Sequence, residues 1–133
     1  MKRILLAYDG AQPAQKALAT AADLAKKYEA TVTVISVVPV HPGRAPIDPW
    51  DDPEVHDAQL HEAAVALREL GIEPRLLEPA GDPATTIERV ASQGAFDMIV
   101  IGARGLGSIG RMLQGSVSEH VATHADTTVV IAR

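Results

Sequence analysis

The chain has 133 residues, with 12 lysines and arginines against 17 aspartates and glutamates, so its formal net charge is −5 with histidine neutral. This acidic balance, together with only four aromatic residues, argues against nucleic-acid binding through a basic face or base-stacking platforms. The lack of cysteine excludes disulfides, a cysteine nucleophile and thiolate metal sites.

The composition is that of a globular protein, with 47% apolar and 22% charged residues. The length fits a single domain over residues 1–133. The first apolar run ends at Asp9, which is too short for a signal peptide, and no run approaches the roughly 18 apolar residues of a membrane span. The sequence therefore predicts a soluble, cytoplasmic domain without a membrane partner.

Short apolar runs bounded by glycine, proline or aspartate predict the strands. Runs this short and this apolar are typical of strands buried on both faces of a parallel sheet. The predicted strands are residues 3–8, 31–38, 97–101 and 127–131, with a weaker candidate at 74–78.

Helical spacing of apolar residues fills the intervals between these strands. The predicted helices are residues 13–28, 53–70 and 83–93, and a last one that begins at Ser116. Gly71 suits the position after a helix end, and Asp82-Pro83 forms a cap followed by a first-turn proline. Ser116-x-x-Glu119 reads as a capping box for the last helix.

Strands and helices alternate along the chain, which predicts parallel strands with right-handed crossovers in an open α/β sandwich. Residues 39–53 contain five prolines and predict an irregular loop. The sequence leaves open whether this loop is a surface excursion or a lid over a site.

The most informative stretch is GARGLGSIGRMLQGSVSE, residues 102–119. It follows a strand and leads into a helix, the setting in which exposed N–H groups and a helix N-terminus bind phosphate. Residues 98–118 contain Arg104 and Arg111 and no acid, so they carry +2 while the remainder carries 10 − 17 = −7. This segment is the predicted phosphate-binding element.

Three phosphate motifs compete for the segment. Gly105 to Gly110 satisfies G-x-G-x-x-G, but only 23 residues follow, too few for a dinucleotide-binding fold. A P-loop would need lysine and a hydroxyl residue where Arg111-Met112 stands. The third pattern is G-x2-G-x9-G-S, which runs from Gly102 to Ser116.

With this third pattern, the chain resembles the universal stress protein family, specifically its ATP-binding branch. The stretches ILLAYDG, VTVISVV, GDPATTI, DMIVIGARG and GSVSEHVATHA follow in the family's order and spacing. The resemblance covers essentially the whole chain. It implies an open five-stranded parallel sheet of order 3-2-1-4-5 with helices on both faces, an adenine-nucleotide α-hydrolase-like fold.

The resemblance also implies a nucleotide site. Its residues would be Ala7, Tyr8 and Asp9 beside the adenosine, Val37 at the adenine edge, Gly102, Ala103, Arg104 and Gly105 on the ribose and α-phosphate side, and Gly115, Ser116, Val117 and Ser118 at the phosphates. The ligand would be ATP, ADP or AMP, with any magnesium carried by the phosphates.

The implied function is a nucleotide-dependent regulatory or stress-response binding protein. The implied partner is a second copy of the chain, paired through the strand at 127–132. Two alternatives stay open: a slow ATPase, and a nucleotide-free interaction or chaperone-like module. No residue is assigned a catalytic role.

The histidines provide the other candidate chemistry. His120 and His124 have i,i+4 spacing that zinc sites use, but a solvated or helix-capping role is the prediction. His56 and His61, near several acidic residues, are interpreted as a solvated loop and helix start. No protein metal site is predicted.

Overall fold

The computed structural model describes residues 2–39, 53–103 and 113–133, apart from the side chains of residues 113–116. The strands are β1 (Arg3–Ala7), β2 (Thr31–Ile35), β3 (Val38–Pro39), β4 (Arg75–Leu77), β5 (Ala80–Gly81), β6 (Met98–Gly102) and β7 (Thr128–Ala132). The helices are α1 (Gln12–Tyr28), α2 (Pro53–Glu69), α3 (Pro83–Gln93) and α4 (Leu113–His124).

Five strands form the main sheet in the order β4-β2-β1-β6-β7, and all neighbours are parallel. The predicted order 3-2-1-4-5 is therefore confirmed for the five predicted strands. The central strand β1 is in register with both neighbours, so that Ala7 lies opposite Ile35 of β2 and Ile101 of β6. The carboxyl ends of these three strands consequently meet at one edge of the sheet.

Alternate side chains of each strand enter two separate cores, as expected for a sheet covered on both faces. One core packs Ile4, Leu6 and Val100 against α1 and α2. The other packs Leu5 and Ile99 against α3 and α4. All five of these strand residues are fully buried, which explains why the strands read as continuous apolar runs.

Local signals account for several helix ends. The Asp82 carboxylate accepts a 3.0 Å hydrogen bond from the Thr85 N–H, which caps α3 as predicted. Gly71 follows α2 with φ +86°, the left-handed conformation that favours glycine after a helix. None of the helices in the described ranges is long and apolar enough to span a membrane.

The predicted start of the last helix is wrong. Helix α4 begins at Leu113, so Ser116 lies inside its first turn and cannot be the N-cap of a Ser116–Glu119 capping box. Leucine and glutamine are good helix formers, and they extend the helix in front of the apparent cap.

The proline-rich segment was predicted as one irregular loop. Its central part lies outside the described residues, but both of its ends are regular: Pro39 belongs to β3 and Pro53 begins α2. Strands β3 and β5 pair as a small parallel sheet that the sequence did not indicate, with Val38 opposite Ala80. Two residues per strand are too few to produce a visible hydrophobic period.

Candidate functional site

The candidate site lies at the carboxyl edge of the sheet, between β1 and β6. From β1 the chain continues outward through β2 to β4 with α1 and α2 on one face. On the other side of β1 it continues through β6 to β7, with α3 and α4 on the opposite face. The connections therefore diverge between β1 and β6, at the switch point where open α/β sheets form a ligand crevice.

The turn after β1 is shaped by Asp9 and Gly10. Tyr8 continues the ladder by donating its N–H to the Ile35 carbonyl oxygen at 3.0 Å. One oxygen of the Asp9 carboxylate, Oδ1, accepts from the Ala11 N–H at 3.0 Å, and Gly10 has φ +79°. The predicted adenosine-side residues thus end a strand and turn directly into the first turn of α1.

Gly102 ends β6 where α1 crosses the sheet. A Cβ on Gly102 would overlap the carbonyl group of Pro13 and lie 2.8 Å from the Ala14 nitrogen. Ala103 then donates its N–H to the Ala132 carbonyl oxygen at 2.8 Å, which extends the pairing with β7. Glycine is required here by the close approach of α1, a reason that the glycine-rich pattern did not reveal.

Val37 lies just beyond β2, and its side chain is buried in the same core as Ala7. The backbone then continues into β3, where Val38 donates its N–H to the Pro79 carbonyl oxygen at 2.9 Å. The paired strands β3 and β5 therefore extend the fold past the ends of β2 and β4. Val37 and Ala7 are brought together on the α3 and α4 face of this edge.

The predicted phosphate-side residues are described only in part. Arg104 and Gly105 lie outside the described residues, while Gly115 and Ser116 are placed in the first turn of α4. Val117 packs half-buried against the core shared with Ala7, and Ser118 is buried. The first turn of α4 contains no acidic residue, so the partial positive charge of its N-terminus is not offset locally.

Sequence reasoning missed a polar row on α2, formed by His56, Gln59 and Glu62. The His56 Nδ1 lies 2.7 Å from the Ser36 hydroxyl oxygen, just beyond β2. The Tyr8 hydroxyl donates a 2.8 Å hydrogen bond to Glu62 Oε1. Because residues three apart share a helix face, the 56-59-62 spacing was the available signal.

The polar row corrects the interpretation of His56 as a solvated residue. Its exposed fraction is only 7%, because α2 packs this part of its surface against the sheet. Gln59 is also buried and lies against Gly10. His61, in contrast, is exposed and close to Asp57, as predicted.

The environment of Tyr8 keeps its hydroxyl neutral. Burial raises the pKa of Tyr8 above its ordinary value of 10, and the hydrogen bond to Glu62 and the charge of that carboxylate raise it further. The phenol therefore acts as a hydrogen-bond donor that ties the end of β1 to α2.

His120 and His124 stack on each other with ring centroids 4.1 Å apart. The His120 Nδ1 lies 2.7 Å from Glu88 Oε2 of α3, and the His124 Nδ1 lies 3.0 Å from the His120 carbonyl oxygen. The His124 ring therefore contacts a carbonyl within the last turns of its own helix, whereas His120 joins α4 to α3. Within the described part of the chain, no group of three or more potential ligands is placed to hold a metal ion.

The sequence of this chain is similar to those of known proteins over its whole length. The sequence model of the Universal stress protein family matches residues 1–133. A universal stress protein of Thermus aquaticus is 35% identical over 136 residues, covering 99% of this chain and 98% of that protein. A putative universal stress protein of Staphylococcus haemolyticus is 30% identical over 148 residues, covering 99% and 84%.

Solved structures share the fold. A universal stress protein from Archaeoglobus fulgidus superposes with a TM-score of 0.81 at 24% identity, covering 100% of this chain and 99% of that one. A structure of a universal stress protein from Archaeoglobus fulgidus in complex with dAMP has a TM-score of 0.76 at 23% identity, covering 100% of this chain and 98% of that one. A universal stress protein in complex with cAMP gives 0.77 at 21% identity, covering 99% and 97%.

Proposed function

The chain belongs to the universal stress protein family, and on that premise we propose that it binds ATP or a related adenine nucleotide and acts as a nucleotide-dependent regulatory protein. The observation that carries the proposal is the pairing of β1 with β6, so that Asp9, two residues after β1, and Gly102, the last residue of β6, both border the switch point. Two solved relatives of the same fold hold dAMP and cAMP, which are adenine nucleotides.

The proposed orientation follows from the charges of the described residues. The Asp9 carboxylate is suited to accept from ribose hydroxyls on the β1 side. The phosphates would lie toward the first turn of α4, where Gly115 and Ser116 contribute backbone N–H groups and no acid is present. The proposed ligand set otherwise keeps the residues implied by the resemblance, with magnesium carried on the phosphates.

Isothermal titration calorimetry with ATP, ADP, AMP and cAMP tests the proposal, together with extraction of nucleotide from the purified protein. A ligand at 100 times its Kd stabilises the folded state by about 2.7 kcal/mol. For a domain of this size the melting temperature should rise by roughly 8–12 °C. No bound nucleotide and no shift at millimolar concentrations would overturn the proposal.

A Gly115→Val variant tests the phosphate side. The added side chain blocks close approach of a phosphate to the first turn of α4, so we expect loss of nucleotide binding with the fold retained. Ala122→Val places the same kind of side chain at an exposed position of α4 and should bind as the wild type does. Phosphate release at high protein concentration separates a binding protein from the alternative, a slow ATPase.

We also propose a homodimer paired through β7. The Ala132 carbonyl points toward β6, because it accepts from Ala103. Since backbone polar groups alternate in direction along a strand, those of Val129 and Ile131 point toward the outer edge. The side chains of residues 129–131 are half-buried and apolar, a combination that favours covering this edge with another strand.

Val129→Pro removes one outward N–H while leaving the bonds to β6 in place, so it should yield a folded monomer. Val129→Thr retains the N–H and the shape and should stay dimeric. Light scattering measures the mass, and a monomeric wild type would overturn the dimer.

The cytoplasmic location stays a prediction from the sequence.

A further inference from the structure

Gln59 stands out within the polar row of α2. His56 and Glu62, on either side of it, are hydrogen-bonded to Ser36 and Tyr8. Gln59 is 9% exposed, and its carbonyl oxygen Oε1 is buried with no hydrogen-bond partner among the residues that the structure describes. Buried side-chain oxygens without a partner are uncommon in folded proteins, so this one calls for an explanation.

Gln59 lies against the turn that follows β1. Its Cγ lies 3.3 Å, its amide nitrogen Nε2 3.6 Å and its Cδ 3.7 Å from the place where a Cβ of Gly10 would be, so a rotation of the amide is needed to bring Oε1 to this turn. Gly10 directly follows Asp9 in the turn that is proposed to border the adenosine, and its φ of +79° favours glycine. Gln59 therefore supports this turn from the α2 side of the sheet.

We propose that the Gln59 carbonyl oxygen accepts a hydrogen bond from a donor group of the bound adenine nucleoside and so determines ligand preference. The donor is the exocyclic amine of the base or a ribose hydroxyl. This inference rests on the proposed function. A carboxamide suits the role because it accepts a hydrogen bond without placing a negative charge near the phosphates.

The contact requires a local movement, because the oxygen is buried beneath the protein surface. Glutamine has three rotatable side-chain bonds, and Gly10 has no side chain to obstruct the amide as it turns toward the nucleoside. Binding then replaces an unsatisfied oxygen by a hydrogen-bonded one. That difference between the free and bound states contributes to affinity.

Calorimetric titration of the wild type and of Gln59→Leu with four nucleotides tests the inference. The nucleotides are AMP, IMP (which has an oxygen in place of the amine), 2′-deoxy-AMP and 3′-deoxy-AMP. The wild type should bind AMP about tenfold more tightly than the analogue that lacks the donor, a typical effect of one hydrogen bond. Gln59→Leu should weaken AMP binding to the same extent and remove that preference.

The affinities identify the donor. If the wild type prefers AMP over IMP and Gln59→Leu does not, the donor is the exocyclic amine. If Gln59→Leu instead loses a preference for AMP over one deoxy analogue, the donor is the hydroxyl that this analogue lacks. Gln93→Leu is the matched control, since Gln93 is exposed at the end of α3 and should keep wild-type affinities. Gln59→Leu should fold, because it replaces an unsatisfied buried amide by an apolar side chain of similar size.

A second measurement does not depend on the variant's stability. The side-chain amide signals of Gln59 in a heteronuclear NMR spectrum should shift when AMP is added to the wild type. Unmoved signals, with equal affinities of the wild type for the four nucleotides, would overturn the inference and leave the proposed function standing. A wild type that binds no nucleotide would overturn both.

Discussion

Gly102 and Pro13 are in direct backbone contact: the space that a side chain on Gly102 would occupy holds the carbonyl group of Pro13. The contact joins the end of β6 to the first turn of α1. Because neither backbone can move without disturbing its element, the position accepts only glycine.

Gly102→Ala should therefore destabilise the protein by about 1–3 kcal/mol, the usual cost of overpacking a closely packed contact. Urea unfolding measures the loss. Gly71→Asn is the control, since no atom lies within 4 Å of a Cβ there and asparagine tolerates the left-handed backbone. An equal, small effect of both substitutions would show that α1 can move away from β6.

The cap of α3 gives a prediction that depends on pH. The hydrogen bond from the Thr85 N–H lowers the pKa of Asp82, and the nearby His120 contributes in the same direction. Asp82→Ala should cost about 0.5–2 kcal/mol at pH 7, as loss of a cap usually does. The contribution is present above the unfolded pKa of about 3.9 and is lost as the pH falls through the lower folded pKa.

Urea unfolding at pH 7 and near pH 2 tests this dependence. The difference between the wild type and Asp82→Ala should shrink at the acidic pH, where the carboxylate is protonated. Asp82→Asn keeps an acceptor without a titrating charge, so its free energy of unfolding at pH 7 should lie between those of the wild type and Asp82→Ala. If the stability difference between the wild type and Asp82→Ala were the same at both pH values, the Asp82 carboxylate would not cap α3 in its ionised form.

The buried hydroxyl of Tyr8 predicts behaviour at alkaline pH. Because the folded pKa is raised above 10, the unfolded chain ionises first, and stability is lost as the pH rises above about 10. In Tyr28→Phe, Tyr8 is the one remaining tyrosine of the chain. Its tyrosinate absorbance should appear only together with alkaline unfolding.

Adding Glu62→Gln to Tyr28→Phe removes the adjacent charge and keeps an acceptor for the hydroxyl. Ionisation of Tyr8 should then begin at a lower pH than with Glu62 in place. Ionisation near pH 10 in the folded protein, whether or not Glu62 is present, would show that Tyr8 is open to solvent.

The Ser36–His56 contact ties the end of β2 to α2. Ser36→Ala removes the hydroxyl at 2.7 Å from the His56 Nδ1 in a buried setting, so we expect a loss of about 1–3 kcal/mol in the free energy of unfolding. Ser92→Ala, at an exposed position of α3, should change it by less than about 0.5 kcal/mol. Similar values for the two variants would contradict the assigned role of the contact.

The five strands of the main sheet and the start of α3 were predictable because their signals are local. Leu5 and Ile99 belong to continuous apolar runs, and such runs identify strands that are covered on both faces. Asp82, the N-cap, and Pro83, the first helical residue, are adjacent in sequence and together indicate the start of α3. The start of α4 was misplaced because Ser116 and Glu119 have the spacing of a capping box without its position in the helix.

The environment of His56 was not predictable from its neighbours in sequence. Acidic residues around it indicated a solvated helix start, yet the residue faces Ser36, twenty positions earlier in the chain. Likewise, a glycine-rich motif does not show why each glycine is needed. Gly102 is needed because the backbone of α1 packs directly against it, whereas other glycines in such a motif allow a ligand to approach the backbone.

The sequence by itself determined the acidic character of the chain, the order of its main elements, their parallel arrangement, and a basic glycine-rich segment of +2 against a remainder of −7. These properties depend on composition and on periodicity within a few residues. Only the tertiary structure decided that α1 rests on Gly102 and that α2 turns His56, Gln59 and Glu62 toward the strand ends. The physical reason is that such contacts join residues tens of positions apart, and close packing alone selects which of them meet.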